Sequence, residues 1–271
     1  MIVLISGASS GIGYESAILL AKKGHKVYGA ARRVDRMEPL REYGVTPVSL
    51  DVTSEESMQA CVAHILEAEG RIDVLVNNAG YGSFGAIENV TMDEARRQLE
   101  VNVFGMARLI QLVLPSMREH GYGRIVNVGS VVGRVVLPFG GWYHVSKYSV
   151  EALSDALRME LKPFGIDVAL IEPGGIDTEW GHITANHLEE SCTGTPYAEP
   201  ACREARHMHW AYDKHLLSHP SVVSRAIGRA VNARRPRHRY HPGVGSRFLL
   251  WLHAILPARW WDALMRGVLT I

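Results

Sequence analysis

Tyr143 and Lys147, in the stretch WYHVSKYSV (142–150), stand four residues apart in a segment whose pattern predicts a helix. Side chains at i and i+4 of a helix share a face and approach each other. A neighbouring ammonium favours the ionised form of a phenol, so it lowers a tyrosine pKa from about 10 toward neutrality. Such a phenol can donate and accept a proton during catalysis. Taken alone, the spacing is more typical of an amphipathic helix with a surface lysine, so the rest of the chain must decide.

A glycine-rich turn, ISGASSGIG (5–13), follows the first predicted strand and opens the first predicted helix. Glycine lets a backbone approach a pyrophosphate, and the helix N-terminus offers unpaired N–H groups and a partial positive charge to phosphates. The alternative is an ordinary strand–helix turn, but the strand–turn–helix context favours a nucleotide. The residues predicted to hold it are Gly7, Ser9, Ser10, Gly11, Ile12 and Gly13.

The end of the second predicted strand indicates which nucleotide binds. An acidic residue there would hydrogen-bond the ribose of NAD. The sequence instead places Ala30 and Ala31 at this point, followed by Arg32 and Arg33. Without a carboxylate there is no repulsion against a 2′-phosphate, and an arginine supplies a charged planar fork to hold it. Two arginines in a solvated loop are the alternative, and we favour NADP(H) over NAD(H).

An alternation of short apolar runs and longer amphipathic stretches must position these residues. Strands are predicted at 2–6, 26–30, 46–51, 72–78, 124–130, 166–173 and 237–242, and helices at 12–23, 54–69, 91–119 and 142–163. Apolar runs without alternation suit strands that are covered on both faces. The order predicts an α/β fold, doubly wound and of the Rossmann type, with a mainly parallel seven-stranded sheet and helices on both faces.

Length and composition narrow the class of protein. A chain of 271 residues, 47% of them hydrophobic, suits one domain over 1–271. Within it we expect a cofactor-binding and catalytic core at 1–178, a substrate lid at 179–220 and an apolar C-terminal extension at 243–271. A net charge of +1 gives no bulk electrostatic reason to expect a nucleic-acid partner.

Three cysteines without metal-type spacing predict free thiols in a reducing, cytoplasmic setting. The N-terminus is typical of a buried strand rather than a signal peptide. The sequence contains no run of about 20 apolar residues, so we predict no membrane-spanning helix.

Together, the glycine turn, NNAG (77–80), a serine at the end of the fifth strand and YHVSK resemble the motifs of a short-chain dehydrogenase/reductase of the simple branch. The resemblance covers residues 2 to about 180 and is nearest to the steroid- and retinol-type members. It implies reversible hydride transfer between a nicotinamide and a carbonyl or alcohol carbon. It also implies a homodimer or homotetramer formed through the helices at 91–119 and 142–163.

The resemblance implies roles for individual residues. Tyr143 is the acid in reduction and the base in oxidation, Lys147 lowers its pKa and binds the nicotinamide ribose, and Ser130 donates to the substrate oxygen. Asn102 helps to hold a water chain to Lys147. The remaining cofactor contacts are Asp51 and Val52 at the adenine, Asn78, Ala79 and Gly80 beside the adenosine ribose, and Ile176 and Thr178 at the carboxamide. Asp51 as a turn cap and Asn102 as a brace for strained helix backbone remain open alternatives.

Substrate specificity is expected in residues 180–220 and in the loops after NNAG and Ser130. Apolar side chains of these loops predict a pocket for a small hydrophobic carbonyl or alcohol, such as a steroid, retinoid or aldehyde: Phe84, Val135, Val136, Leu137, Phe139 and Trp142. The helical and strand patterns weaken after Thr178, which predicts a less regular segment to about residue 220. His207 and His209 raise a metal hypothesis, but no cysteine or carboxylate completes a site, so no metal is predicted.

The tryptophan-rich tail permits several interpretations. FLLWLHAIL (248–256) is too short to span a bilayer. Trp251, Trp260 and Trp261, with flanking arginines, suit a peripheral membrane contact. They suit equally a cover for the substrate cleft or a contact with another subunit.

Two other functions compete with the oxidoreductase. A catalytically silent NADP(H)-binding regulatory protein of the same fold would have no physical reason to keep the serine, tyrosine and lysine together. A lyase or epimerase of the extended branch would have a longer chain.

Overall fold

Seven parallel strands form one sheet in the computed structural model, which describes residues 1–268. The strands are β1 (Ile2–Ser6), β2 (Lys26–Ala31), β3 (Val45–Ser49), β4 (Val74–Asn77), β5 (Gly123–Val128), β6 (Ile166–Ile171) and β7 (Arg239–Tyr240). Their order is β3-β2-β1-β4-β5-β6-β7, and each neighbouring pair is parallel. The predicted doubly wound fold of the Rossmann type is confirmed.

Helices cover both faces of the sheet. They are α1 (Gly11–Lys22), α2 (Glu55–Glu69), α3 (Met92–Leu99), α4 (Gly105–Glu119), α5 (Gly141–Glu160), α6 (Trp180–Cys192), α7 (Ala198–Asp213), α8 (Ser221–Asn232), α9 (Ser246–Ile255) and α10 (Ala258–Val268). Successive side chains of a strand point to opposite faces. Val3 and Ile5 of β1 therefore pack toward α1 and α8, while Leu4 packs toward α2, α4 and α5.

Glycines end several of the elements that precede a strand. Gly24, Gly44, Gly70, Gly121 and Gly165 all have positive φ angles, between 58° and 81°. A residue with a Cβ seldom adopts this left-handed conformation, so glycine stops a helix and redirects the chain into the next strand.

The helix predicted at 91–119 is interrupted. α3 ends at Leu99, a wider π turn spans 100–104, and α4 continues from Gly105. Such turns are often found at functional sites because they re-aim a side chain. Here the turn carries Asn102, which is buried.

The segment predicted to be less regular, from Thr178 to about residue 220, instead contains α6 and α7, so that prediction is wrong. The two helices pack together around small side chains: Ala185, Leu188, Cys192, Ala201 and Ala205. Small residues allow close helix packing but produce a weak hydrophobic pattern, which explains why the sequence did not reveal this hairpin.

The C-terminal extension forms α9 and α10, and its last three residues, 269–271, lie outside the described part of the chain. Trp261 and Met265 of α10 are buried against Val135, and the Trp261 indole Nε1 donates to the Val136 carbonyl at 3.3 Å. The tail therefore packs on the loop that follows β5.

Candidate active site

A cleft of about 1670 Å³ lies at the carboxyl ends of the strands. Open α/β sheets bind ligands at this edge, where the strand order reverses, which here is between β1 and β4. Most residues predicted for the site line the cleft: Gly7, Ser9, Ser10, Gly11, Ile12, Arg32, Arg33, Asp51, Val52, Asn78, Ala79, Gly80, Ser130, Tyr143, Lys147, Ile176 and Thr178. Gly13 and Asn102 do not reach the lining.

Two positions of the glycine turn, Gly7 and Gly13, have no room for a side chain. Gly7 has a φ of +70°, and a Cβ on Gly13 would lie 2.3 Å from the Gly7 carbonyl oxygen. Ser10 precedes α1, and its side chain makes no capping hydrogen bond to the first helical turn. The helix N-terminus therefore faces the cleft without a side-chain cap, as a site for a phosphate requires.

Asn78, the residue that follows the neighbouring strand β4, supports this turn. Its side-chain Nδ2 donates to the carbonyl oxygens of Ser6 and Gly7, at 3.1 Å each. The Ser6 hydroxyl in turn accepts from the backbone N–H groups of Asn78 and Ala79, at 3.1 Å. The side chain predicted beside the ribose thus fixes the shape of the glycine turn.

The end of β2 carries cations and no carboxylate. Arg32 and Arg33 are exposed at the cleft. An acid that interacts with Arg32 is Asp51, whose Oδ1 accepts from the Thr53 N–H at 3.0 Å and from the Thr53 hydroxyl at 2.8 Å. Burial opposes ionisation of Asp51, but these bonds and the charges of Arg32 and Arg97 outweigh it and lower its pKa. Asp51 therefore caps a turn as well as lining the cleft.

Tyr143 and Lys147 are both buried on α5, one turn apart. The Lys147 ammonium lies 5.7 Å from the centroid of the Tyr143 ring and donates to the Val128 carbonyl at 3.0 Å. Burial lowers the pKa of Lys147 to about 8. The two side chains share one face of the helix, as the sequence predicts.

The direction of the Tyr143 shift differs from the prediction. Burial raises its pKa above the ordinary value of 10.0, and a hydrogen bond with Ser130 opposes that rise without cancelling it. The sequence-based expectation counted the ammonium of Lys147 but not the loss of water around the phenol. The protein on its own therefore stabilises the neutral phenol.

Ser130 follows β5 and holds its hydroxyl near Tyr143. Its Oγ accepts from the Val132 N–H at 3.3 Å and donates to the Pro173 carbonyl at 3.4 Å. These long bonds place the hydroxyl at the cleft, beside the phenol of Tyr143.

Asn102 braces the site from behind. Its Nδ2 donates to the Tyr81 carbonyl at 2.8 Å and to the Ser146 hydroxyl at 3.0 Å, and its Oδ1 accepts from the Tyr81 N–H at 3.0 Å. The Ser146 hydroxyl donates to the Tyr143 carbonyl at 2.7 Å. These contacts fit the bracing alternative and connect the π turn to the helix that carries Tyr143.

The lid contributes side chains that the sequence did not identify. The indole of Trp180 lies with its centroid 5.3 Å from the ring of Tyr143 and 6.0 Å from that of Phe84. Glu204 of α7 lines the cleft with only 12% of its side chain exposed, and burial raises its pKa to about 7. Neither residue belongs to a recognisable motif, and only the folding of α6 and α7 over the cleft reveals them.

The predicted apolar lining is partly wrong. Of the six side chains expected in the pocket, Phe84 and Leu137 line the cleft. Val135 is buried beneath the tail, and Val136 is half-exposed to solvent. Phe139 packs against the α6–α7 hairpin. The lid and the tail also contribute to the lining: Trp180, Ile183, His187, Met208, Ala211, Tyr212 and Leu249.

Residues 1–268 include no group of three or more His, Cys, Asp or Glu side chains arranged to hold a metal ion. His209 instead pairs with His182, with 2.9 Å between their Nδ1 atoms. No helix in this range has the length and apolar character needed to cross a bilayer.

Comparison with known proteins agrees with the geometry. The sequence model of the family described as short chain dehydrogenase matches residues 1–188. A probable short-chain type dehydrogenase/reductase, VdlC of Helicobacter pylori, is 36% identical over 98% of this chain and 96% of its own. A 3-ketodihydrosphingosine reductase of Bacteroides thetaiotaomicron is 36% identical over 89% of this chain and 87% of its own length. Human retinol dehydrogenase 8 is 33% identical over 86% of this chain and 78% of its own length.

Solved structures with the same fold include a short-chain dehydrogenase from Streptomyces avermitilis. It has a TM-score of 0.80 and 32% identity, covering 99% of this chain and 94% of its own. An alcohol dehydrogenase from Thermococcus sibiricus, complexed with 5-hydroxy-NADP, has a TM-score of 0.72 and 27% identity. The match covers 90% of this chain and 96% of the dehydrogenase chain.

Proposed function

Because the chain belongs to the short-chain dehydrogenase family and is an oxidoreductase, we propose that it interconverts a hydrophobic carbonyl compound and its alcohol with NADP(H). The observation that carries this proposal is the meeting of Ser130, Tyr143 and Lys147 in the cleft that contains the glycine turn. The bound nicotinamide supplies or accepts the hydride, and its oxidised form adds positive charge near the phenol.

The protein's own residues handle the proton. Tyr143 gives its phenolic proton to the substrate oxygen in reduction and takes a proton from the alcohol in oxidation. Ser130 donates to the same oxygen as negative charge develops there. Burial keeps the Tyr143 phenol protonated, which suits it to act as the acid. The Lys147 ammonium, beside the phenol ring, stabilises the phenolate that remains after the proton is transferred.

Residues around the cleft would hold the dinucleotide. The uncapped N-terminus of α1 and the glycine turn would bind the pyrophosphate. Asp51 and Val52 would contact the adenine, and Ile176 and Thr178 the carboxamide. Ala79 and Gly80 would lie beside the ribose, while Asn78, and Gly13 behind it, would keep the turn in shape. Asn102 is proposed as a positioning residue, because its contacts go to Tyr81 and Ser146.

A preference for NADP(H) over NAD(H) rests on Arg32 and Arg33. Both are exposed at the end of β2, where they can bond a 2′-phosphate. The structure from Thermococcus sibiricus, which is described with 5-hydroxy-NADP, supports this choice.

The substrate class follows from the composition of the cleft. Phe84, Leu137, Trp180 and Met208 offer apolar surface, which suits a steroid, retinoid or long-chain compound. Two relatives are named for reactions on apolar molecules, a 3-ketodihydrosphingosine and a retinol. Glu204 and His187 add polar groups to the lid side of the same cleft.

We further propose a cytoplasmic homodimer or homotetramer. Phe104 near the start of α4 and Val145 and Tyr148 on α5 are apolar and 40–57% exposed, on the elements expected to form the subunit contact. The cysteines Cys61, Cys192 and Cys202 are free, as suits a reducing compartment.

Substitution of Tyr143 by Phe tests the proposal. We expect Tyr143→Phe to lower turnover by roughly 10²–10⁴-fold, measured on a panel of steroids, retinoids and aldehydes with NADPH. Binding of NADPH, followed by fluorescence titration, should stay within twofold of wild type because the ring remains in place. Tyr148→Phe, on the exposed side of the same helix, is the matched control and should retain turnover.

The same experiment separates the competing function. A catalytically silent NADP(H)-binding protein would bind the nucleotide but show no turnover on any substrate of the panel, before or after substitution. Turnover that survives in Tyr143→Phe would contradict the assignment of the acid.

A further inference from the structure

The positive charge of this chain is concentrated in one segment. Residues 214–261 contain nine lysines and arginines and no aspartate or glutamate. The remainder of the chain therefore has 20 basic residues against 28 acidic ones, although the net charge of the whole is only +1. A segment with cations alone creates a local positive potential that the overall charge conceals.

The fold gathers this segment into a second cavity, of about 1130 Å³, which we call the basic cleft. Residues of α8, β7 and α9 line it, and α9 also borders the catalytic cleft through Leu249. Seven basic side chains line it: Lys23, Arg134, Arg229, Arg235, Arg237, Arg239 and Arg247. No carboxylate is part of this lining among residues 1–268.

Most of these cations are not neutralised within the protein. Arg239 is paired with Asp155 at 2.7 Å and with Glu151 at 3.1 Å, and Arg134 lies 3.9 Å from the buried Glu172. The other five form no ion pair within the described part of the chain: Lys23, Arg229, Arg235, Arg237 and Arg247. The basic cleft therefore has a large excess of positive charge facing solvent.

An exposed apolar ridge adjoins the basic cleft. Phe248, Trp251 and Ile255 of α9 are spaced i, i+3 and i+7 on one helix face, and their exposed fractions are 63%, 57% and 54%. The next helix, α10, adds Trp260, which is 60% exposed. Trp251 belongs to both features, because it also lines the basic cleft.

The ridge faces outward because the opposite side of the tail is anchored. Trp261 and Met265 are buried beside Val135, which fixes the rotation of α10 about its axis. Leu249 and Leu250 of α9 pack toward the cluster that contains Tyr143. A soluble domain seldom leaves two tryptophans and a phenylalanine exposed in one patch unless the patch binds something.

Charge complementarity distinguishes among three candidate partners of the basic cleft and the ridge: a free phosphate, a second copy of the chain and an anionic bilayer. A free phosphate would account for the cations but not for the ridge. A second copy of this face, related by a twofold axis, would bring two sets of unpaired cations together, which like-charge repulsion disfavours. An anionic bilayer satisfies both features, because arginine and lysine bind its phosphates while tryptophan prefers the headgroup level.

We propose that the basic cleft and the apolar ridge form one surface that docks on a bilayer containing anionic phospholipid. The cations contact headgroup phosphates, and Phe248, Trp251 and Trp260 enter the interfacial region. α9 is a wall shared with the catalytic cleft, which Leu249 lines. If the proposed function is also correct, a hydrophobic substrate would leave the bilayer beside the mouth of the active site.

Sedimentation with vesicles tests the docking independently of any turnover. The full chain should sediment with vesicles of phosphatidylserine and phosphatidylcholine, and at least tenfold less with phosphatidylcholine alone. Binding should weaken as salt is raised from low to about 1 M, because screening shortens to a few ångströms. The tryptophan emission should shift to shorter wavelength on binding.

Two sets of variants test whether the basic cleft and the apolar ridge are the surface that binds vesicles. Arg235→Gln with Arg237→Gln and Arg247→Gln, and separately Phe248→Ser with Trp251→Ser, should each lower vesicle binding at least tenfold. Lys162→Gln and Met159→Ser are the controls, because they alter an exposed cation and an exposed apolar residue near the end of α5. All variants should unfold at the wild-type temperature, so that lost binding is not lost folding.

Three results would overturn the proposal. The first is equal sedimentation with both kinds of vesicle, or with neither. The second is calorimetric binding of inorganic phosphate at the basic cleft with no binding to vesicles, which would identify a small-anion site. The third is a concentration-dependent dimer that Trp251→Ser abolishes, which would identify the ridge as a contact between copies of the chain. Loss of turnover has no effect on any of these readouts.

Discussion

The indole of Trp180 covers the phenol ring of Tyr143, with the ring centroids 5.3 Å apart. Trp180 opens the lid helix α6, and a Cβ on Gly82 would lie 2.3 Å from its Cζ2. The lid and the loop after β4 thus enclose the phenol together. This enclosure is one source of the burial that raises the Tyr143 pKa.

Replacing Trp180 by Ala should lower the Tyr143 pKa. Water would reach the phenol and stabilise its charged form. In the proposed mechanism Tyr143 acts as a base in alcohol oxidation, so activity should rise with pH through its pKa. The midpoint of that rise in kcat/KM should shift to lower pH by about one unit. Trp210→Ala, an exposed tryptophan of α7, should leave the profile unchanged, and an unshifted profile in Trp180→Ala would contradict the argument.

Arg32 should determine the preference of the protein for NADPH over NADH. We expect Arg32→Ala to weaken NADPH binding roughly tenfold to a hundredfold, because a charge-assisted bond contributes about 1.5–3 kcal/mol. NADH binding should change less than twofold, since NADH has no 2′-phosphate. Fluorescence titration with both nucleotides measures this without a substrate. Arg36→Ala, whose side chain pairs with Glu179 at 3.6 Å, is the matched control.

Glu204 should make stability depend on pH. Burial raises its pKa from 4.5 to about 7 in the folded protein. Between these values the folded state holds a proton that the unfolded state has lost, so the free energy of unfolding falls as pH rises. Glu204→Gln stays neutral and should be more stable than wild type at pH 8, by on the order of 1–3 kcal/mol, and equal to it near pH 4.

Urea unfolding of both proteins at several pH values measures that difference. Titrating groups that do not contact Glu204 contribute equally to both and cancel, whereas His207, 4.0 Å from its Oε2, changes with it. Glu199→Gln alters a carboxylate that is 82% exposed on the same helix, and it should show no such crossover. If the difference in free energy of unfolding between Glu204→Gln and wild type stayed constant across the pH range, ionisation of Glu204 would not destabilise the folded state.

Arg124 should be important for stability although it lies far from the cleft. The buried guanidinium donates to the carbonyls of Ala230 and Ala233, at 2.9 Å and 2.8 Å, at the end of α8. Arg124→Met would leave these acceptors unpaired and should lower the free energy of unfolding by about 3 kcal/mol. Arg225→Met, exposed on α8, should change it by less than about 0.5 kcal/mol in the same denaturation assay.

Much of the fold and the nucleotide cleft could be predicted from local patterns. β1 and the glycine turn after it occur at the predicted residues, because strand periodicity and the need for glycine at Gly7 and Gly13 are properties of neighbouring residues. The resemblance to short-chain dehydrogenases is confirmed by the family match over residues 1–188. Motif spacing along α5 also placed Tyr143 and Lys147 on one helix face.

Long-range packing decided the rest. The lid helices α6 and α7 pair through small side chains, so no periodic pattern announced them, and Glu204 faces the cleft only after they fold. The rise in the Tyr143 pKa comes from burial, to which Trp180 and Phe84 contribute; they are 37 and 59 residues distant in sequence but in ring contact. Desolvation depends on what surrounds a group in space. The sequence alone thus determined which groups we propose for the chemistry, and the tertiary structure decided which surroundings shift their pKa values.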